Sequence, residues 1–247
     1  MELWVLVALA VAAVLAGFLD SIIGGGGVIT LPALLATGLP PHQAIATNKV
    51  VGTGASSIAT WNYTRAGLTH RWAWRLWPVA AVAAACGAAL VLRIDARWVM
   101  WAVVAVVAAL AIYVLAAPQF GQQDRSRFTP RTAALVSLGA IAIALYDGAL
   151  GPGTGNLLLA LWVAAAGLPW LQAAANGRVL NFASNVGALA FWSTTDLIDW
   201  RLGLVMAAGT VTGGWLGSRS NIRSQARWIR PLFAAVAGAL ILRMVLA

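Results

Sequence analysis

Apolar residues recur along this chain in blocks of about 17 to 22, close to the roughly 20 residues that a helix needs to cross a bilayer. Six such blocks fall at about 3–19, 76–92, 98–117, 132–150, 201–217 and 229–246. Two further blocks, about 24–61 and 151–192, are apolar but interrupted by Gly, Pro, Asn and one Lys or Arg each. The pattern predicts an all-α integral membrane protein of about eight apolar helical blocks. Composition agrees, because only 9% of the 247 residues are charged and 61% are hydrophobic, against roughly 25% charged in soluble domains. Such a chain has no polar coat to keep a globule in water.

The net charge of +9 does not point to nucleic acid. The basic residues sit in short connections between apolar blocks, as they do in cytoplasmic loops, and form no continuous basic face. Cys86 is the only cysteine, so it has no internal disulfide partner, and its apolar surroundings assign it to packing. The block Leu3 to Gly17 lacks the positive flank of a signal peptide and reads as a retained first helix.

The second half of the chain echoes the first. Asp20 followed by Gly24-Gly25-Gly26 corresponds to Asp147 followed by Gly151-Pro152-Gly153. Gly38-Leu39-Pro40 corresponds to Gly167-Leu168-Pro169, Gln43-Ala44 to Gln172-Ala173, and Ala46, Lys49 and Val50 to Ala175, Arg178 and Val179. These pairs keep their order and a nearly constant offset. The expected division is a first repeat over 1–117, a linker over 118–131 and a second repeat over 132–247, within one membrane domain.

Charge orients the repeats. The 118–131 and 218–230 connections are rich in Arg and belong in the cytoplasm, whereas the connection near Asp196 and Asp199 suits the outside. The block 151–192 must then enter and leave from the outer face, as a re-entrant-type hairpin. Its first arm, about Asn156 to Gly167, reaches only about 18 Å, too little for a hydrocarbon core of about 30 Å. The block 24–61 becomes a hairpin entering from the cytoplasm, with the N-terminus outside. Arg93 and Arg97 then lie outside, against the rule. Two similar halves with odd crossings face opposite ways, which is the inverted-repeat plan of many secondary transporters, whose sites lie at the midplane where helices are broken.

The residues that carry chemistry sit at those breaks. Gly24-Gly25-Gly26-Gly27 disfavours a continuous helix and lets the backbone approach a ligand. A short arm begins directly after it, and its first amides lack intrahelical acceptors. In a membrane interior these need partners, and an anion is one. Gly151, Gly153 and the Thr154 hydroxyl repeat the device. The competing reading is close helix packing. Lys49 is the only lysine of the chain and lies within an apolar block, where a cation is costly. With Arg178 it would create a positive well for an anion, unless both snorkel or pair with Asp20 and Asp147. Those carboxylates either carry a coupling proton or cap their glycine turns. Asn48 and Asn181 either bind an oxyanion or join helices, and Asn185, Ser56, Ser57 and Ser184 read as interhelical glue. Tryptophans such as Trp72, Trp74, Trp77, Trp98 and Trp101 read as interfacial anchors. No catalytic, metal or Walker motif is present, so neither an enzyme nor a cofactor is expected.

The stretch from Gly17 to Gly27, with Pro32 and Ala46-Thr47-Asn48-Lys49, resembles the first repeat of the sulfite exporter TauE/SafE family. Asp147-Gly148, Gly151 to Gly155, Asn181, Asn185, Gly213-Gly214 and Gly217-Ser218 resemble its second. The resemblance implies a bacterial inner-membrane permease for sulfite, sulfonate or other small organic anions, with the glycine turns and the Thr-Asn-Lys segment at the site. Family members often carry lysine where this chain has Arg178, and arginine adds a planar fork suited to oxyanions. Substrate, direction of transport, coupling ion and oligomeric state stay open at this point, as do a non-transporting scaffold and an anion channel as alternatives.

Overall fold

A computed structural model describes residues 3–116, 126 and 129–224. Its described residues form helices α1 Leu3–Ile23, α2 Gly27–Leu35, α3 Pro41–Arg65, α4 Arg71–Val91, α5 Ala96–Ala116, α6 Pro130–Ala149, α7 Thr154–Ala166, α8 Trp170–Trp192 and α9 Trp200–Ser224. Three of them, within α1, α4 and α6, are long and apolar enough to cross a membrane by length and composition. The expected span 229–246 lies outside the described residues, as does most of the 118–131 connection.

Boundaries moved where helix signals outran the apolar run. Helix α1 continues past Gly17 to the glycine turn, so that Asp20 lies on its last turn. Helix α4 begins at Arg71 because His70 caps it, accepting a hydrogen bond at Nδ1 from the Trp72 amide at 3.2 Å. Each interrupted block is a short helix, a tight turn and a long helix. The short arms α2 and α7 have 9 and 13 residues, about 13 and 20 Å of rise. The long arms α3 and α8 have 25 and 23 residues, enough to traverse a core of about 30 Å. Pro40 and Pro169 stand at the N-caps of the long arms with matching extended backbone, where a missing amide costs nothing.

The long arms form the centre. They lie against each other and run in opposite directions, Gly52 meeting Asn185 while Thr60 bonds to the Arg178 carbonyl at 3.0 Å. Helix α9 packs along both α1 and α3, and α4 packs along both α6 and α8. The pairings therefore cross between the halves: the fourth helix of each half holds the first and third helices of the other. Backbones touch at these crossings. A Cβ on Gly217 would fall 2.3 Å from the Phe18 carbonyl oxygen, and one on Gly87 would fall 1.9 Å from that of Leu145. Small residues permit this approach, which is how membrane helices gain van der Waals contact without a hydrophobic driving force.

Large apolar side chains cover the outside. Val7, Val11 and Leu15 on α1, Val79, Val82 and Leu90 on α4, and Leu135, Leu138 and Leu145 on α6 are exposed, as a lipid-facing surface requires. Cys86 is exposed on the same face of α4, a correction to its expected place in packing. Trp74, Trp98 and Trp101 are exposed, but Trp72 and Trp77 pack on the core. Trp162 and Trp192 are fully buried, so interfacial anchoring does not account for every tryptophan.

Candidate functional site

Both glycine turns end at the same place. Gly24 and Gly151 have φ of 91° and 95°, a left-handed conformation that glycine adopts without strain. It reverses the chain directly after the helix that carries the aspartate. The turns touch: a Cβ on Gly24 would lie 2.3 Å from the Gly155 carbonyl carbon, and one on Gly27 would lie 3.2 Å from the Pro152 Cα.

Each cation reaches the carboxylate of the other half. Lys49 on α3 places Nζ 3.0 Å from Asp147 Oδ1 at the end of α6 and also donates to the Asp147 carbonyl. Arg178 on α8 places Nη1 2.6 Å from Asp20 Oδ2 at the end of α1. Lys49 is 1% exposed and Arg178 2%, so neither snorkels to water. Breaking a buried pair by removing one member costs about 3–5 kcal/mol. The positive well expected from the two cations is thus compensated in this conformation, and the four central charges sum to zero.

The carboxylates do more than pair. Asp20 Oδ1 accepts from the Gly26 amide at 2.9 Å, so Asp20 caps its turn. Asp147 Oδ1 accepts from the Thr154 hydroxyl at 2.9 Å, and its Oδ2 accepts from Ser184. The amides of Val28, Ile29 and Thr30 point to the carbonyls of Gly25 and Gly26. Several donors that the sequence assigns to an anion therefore already have protein acceptors.

Around this cluster lies a cavity of ≈ 30 Å³, room for one or two waters. Of the sequence-selected residues, Asp20, Gly24, Gly26, Gly27, Asn48, Lys49, Asp147, Gly151, Gly153, Thr154 and Asn181 line it. Gly25 and Arg178 do not. Thr30, Gly52 and Thr210 line it although the sequence reading missed them, and Asn185, read as glue, lines it as well. Thr30 donates to Asn48 Oδ1 at 2.6 Å, and Asn185 Nδ2 donates to the Asn181 carbonyl at 2.8 Å. Thr210 donates to the Val51 carbonyl at 2.9 Å. Spacing on the long arms could have revealed Gly52 and Asn185, which lie one turn beyond Asn48 and Asn181. Nothing in the sequence points to Thr210, because only the packing of α9 on α3 brings it in.

Arg178 explains one glycine. Its Nη2 would lie 1.7 Å from a Cβ on Gly155 and 2.5 Å from one on Gly24, so the guanidinium edge occupies the space that two missing side chains leave. The equivalent of Gly155 in the first half is Val28, each standing eight residues after its aspartate. There the cation is the slimmer lysine.

The family model described as sulfite exporter TauE/SafE matches residues 9–244. A "Probable membrane transporter protein ORF9" from Sinorhizobium sp is 39% identical over 240 residues, covering 95% of this chain and 90% of that protein. A "Probable membrane transporter protein" from Haemophilus influenzae is 33% identical, covering 93% and 90% of the two chains. The "Probable membrane transporter protein YfcA" of Escherichia coli is 33% identical, covering 91% and 83%. No solved structure matches. A transmembrane helical body, a buried polar centre built from both halves and a match over nearly the whole length lead to one assignment: the chain belongs to the sulfite exporter TauE/SafE family of membrane transporters.

Proposed function

We propose that this protein is a secondary transporter, working as an exporter in the bacterial inner membrane, that moves a small oxyanion of the sulfite or sulfonate class by alternating access at a midplane site. The observation that carries the reading is the pair of buried ion pairs exchanged between the halves beside two touching glycine turns. The antiparallel contact of α3 and α8, which are equivalent in sequence, supports an inverted repeat in which the halves rock against each other about this centre.

Charge balance gives the mechanism its form. The cluster of Lys49, Arg178, Asp20 and Asp147 is neutral, and an anion entering it leaves net negative charge in a low-dielectric interior, which is costly. Protonation of one aspartate restores neutrality and at the same time releases a cation to face the anion. Lys49 offers a compact ammonium and Arg178 a planar fork that can take two oxyanion oxygens at once. Asn48, Asn181 and Thr154 supply uncharged donors, and the glycine turns at Gly24 to Gly27, Gly151 and Gly153 supply backbone amides, that of Gly26 once Asp20 lets it go. Donors beside the cavity of ≈ 30 Å³ are already bonded within the protein, so an oxyanion gains them only as those bonds open. The N-terminus is then outside, and the 118–131 connection and the arginine-rich end of α9 with the residues after it are cytoplasmic.

Proteoliposome assays with sulfite and alkylsulfonates test the proposal. Uptake driven by a pH gradient is expected in the wild type and is lost in Lys49→Ala and Arg178→Ala. Equal transport by these variants and the wild type excludes the site. Asp20→Asn and Asp147→Asn, which mimic the protonated carboxylates, are expected to keep anion binding while losing its dependence on the pH gradient.

A further inference from the structure

A second basic feature lies away from the central cavity, at the ends of α3 and α9. These helices run in the same direction, with Val50 against Gly203 at one end and Tyr63 bonded to Asn221 at the other. Where they finish, a groove of ≈ 400 Å³ opens between them, lined by Ile58, Trp61, Asn62, Arg65, Trp215 and Arg219 among others. Its form is specific. The Arg65 guanidinium carbon lies 4.8 Å from the Trp61 ring centre, and that of Arg219 lies 4.0 Å from the Trp215 ring centre. The tryptophans are 56% and 39% exposed, and both arginines are exposed. Among the described residues the only ion pairs are the two central ones, so neither guanidinium is neutralised by a carboxylate there.

The surroundings share this charge. Arg71 and Arg75 on the first turns of α4, and Arg223 one turn beyond Arg219, lie at the same end of the molecule, with no acidic residue among the described ones. At the opposite end Arg93, Arg97 and Arg201 are balanced by Asp95, Asp196 and Asp199. Each guanidinium lies over an indole ring as a cation–π contact, and its N–H donors suit a phosphate gripped by paired hydrogen bonds. The indole faces and Ile58 offer apolar wall on the bilayer side of that grip. A ligand that fits both must be anionic at one end and apolar at the other.

We propose that the α3–α9 groove binds the phosphodiester headgroup of an anionic phospholipid, with Arg65 and Arg219 on the phosphate and Trp61 and Trp215 against the glycerol and upper acyl chain. Basic pockets between membrane helices recognise such headgroups. Because α9 and α3 also enclose the central cavity, the lipid would brace the two helices at the arginine-rich end.

The test uses the full-length chain in detergent, titrated with phosphatidylglycerol or phosphatidylcholine and read by native mass spectrometry. The wild type is expected to retain phosphatidylglycerol in preference to phosphatidylcholine. The Arg65→Gln/Arg219→Gln variant is expected to bind it about thirtyfold more weakly, and each single variant about fivefold. The single variants carry the test if the double variant does not fold. Arg93→Gln/Arg97→Gln, at the opposite end, is expected to bind as the wild type does. Millimolar inorganic phosphate is expected not to displace the lipid. Equal affinity for the two lipids, undiminished binding in the Arg65 and Arg219 variants, or displacement by phosphate alone would each overturn the proposal.

Discussion

The two ion pairs are equivalent in sequence but built differently. At the Lys49 pair, Asp147 is held by three donors, the ammonium and the hydroxyls of Thr154 and Ser184. At the Arg178 pair, Asp20 divides its oxygens between the guanidinium and the Gly26 amide. The side chains of the first pair are 1% and 3% exposed, and those of the second 3% and 11%. Two matching sequence motifs thus hold one deep pair with more side-chain donors and one that is shallower and tied to its own turn. The Arg178 pair is therefore the cheaper of the two to open, since the charges it frees are nearer to water.

The largest expected effect comes from breaking the deeper pair. Asp147→Asn leaves the Lys49 ammonium buried beside a neutral amide and should destabilise the protein by about 3–5 kcal/mol, read as thermal unfolding in detergent. Asp20→Asn should cost less. If it costs as much, the contrast between the pairs is wrong. Next comes the fit of Arg178 between the turns. Gly155→Ala drives a Cβ into Nη2 and should cost about 1–3 kcal/mol through overpacking. Adding Arg178→Lys, the type of cation found in the first half, should recover the part of that loss due to the guanidinium, while the Gly24 Cα, 2.5 Å from the same Cβ, keeps the rest. A double variant no more stable than Gly155→Ala would show that the glycine serves the backbone contact with Gly24 instead.

A smaller effect separates the carboxylates. Thr154→Val removes one hydroxyl bond to Asp147 and should cost about 1 kcal/mol, whereas the first half has Gly27 at the matching position and no such bond to lose. The smallest concerns the start of α4, outside the centre. Burial, and then Arg71, hold the His70 imidazole below its ordinary pKa of 6.5, in the neutral form that caps the Trp72 amide. A lowered folded-state pKa means that stability is present above about 6.5 and declines as pH falls through the folded value. Wild-type thermal stability should fall slightly more on acidification than that of His70→Ala, and parallel curves would remove the cap from consideration.

The candidate site was largely legible because polar residues are conspicuous in an apolar chain. Lys49 stands out as the one lysine, Arg178 as its echo, and the aspartates by their constant distance from the glycines. Periodicity could not show that each cation crosses to the other half. Pairing of this kind depends on α9 crossing to α1 and α3, and α4 to α6 and α8, and no local signal carries that information. Thr210 was invisible for the same reason, as was the need for glycine at position 155, which arises because Arg178 Nη2 and the Gly24 backbone both arrive there from distant parts of the chain.

Sequence alone determined the solvent of this protein, its helical class and the places where helices break, because the length of apolar runs and the absence of side chains at glycine act locally. Tertiary structure decided that the charges of the centre cancel, which glycines admit a neighbour, and that two distant arginines share one groove. Those outcomes depend on distances of a few ångströms between residues far apart in the chain, which only the assembled packing of the helices sets.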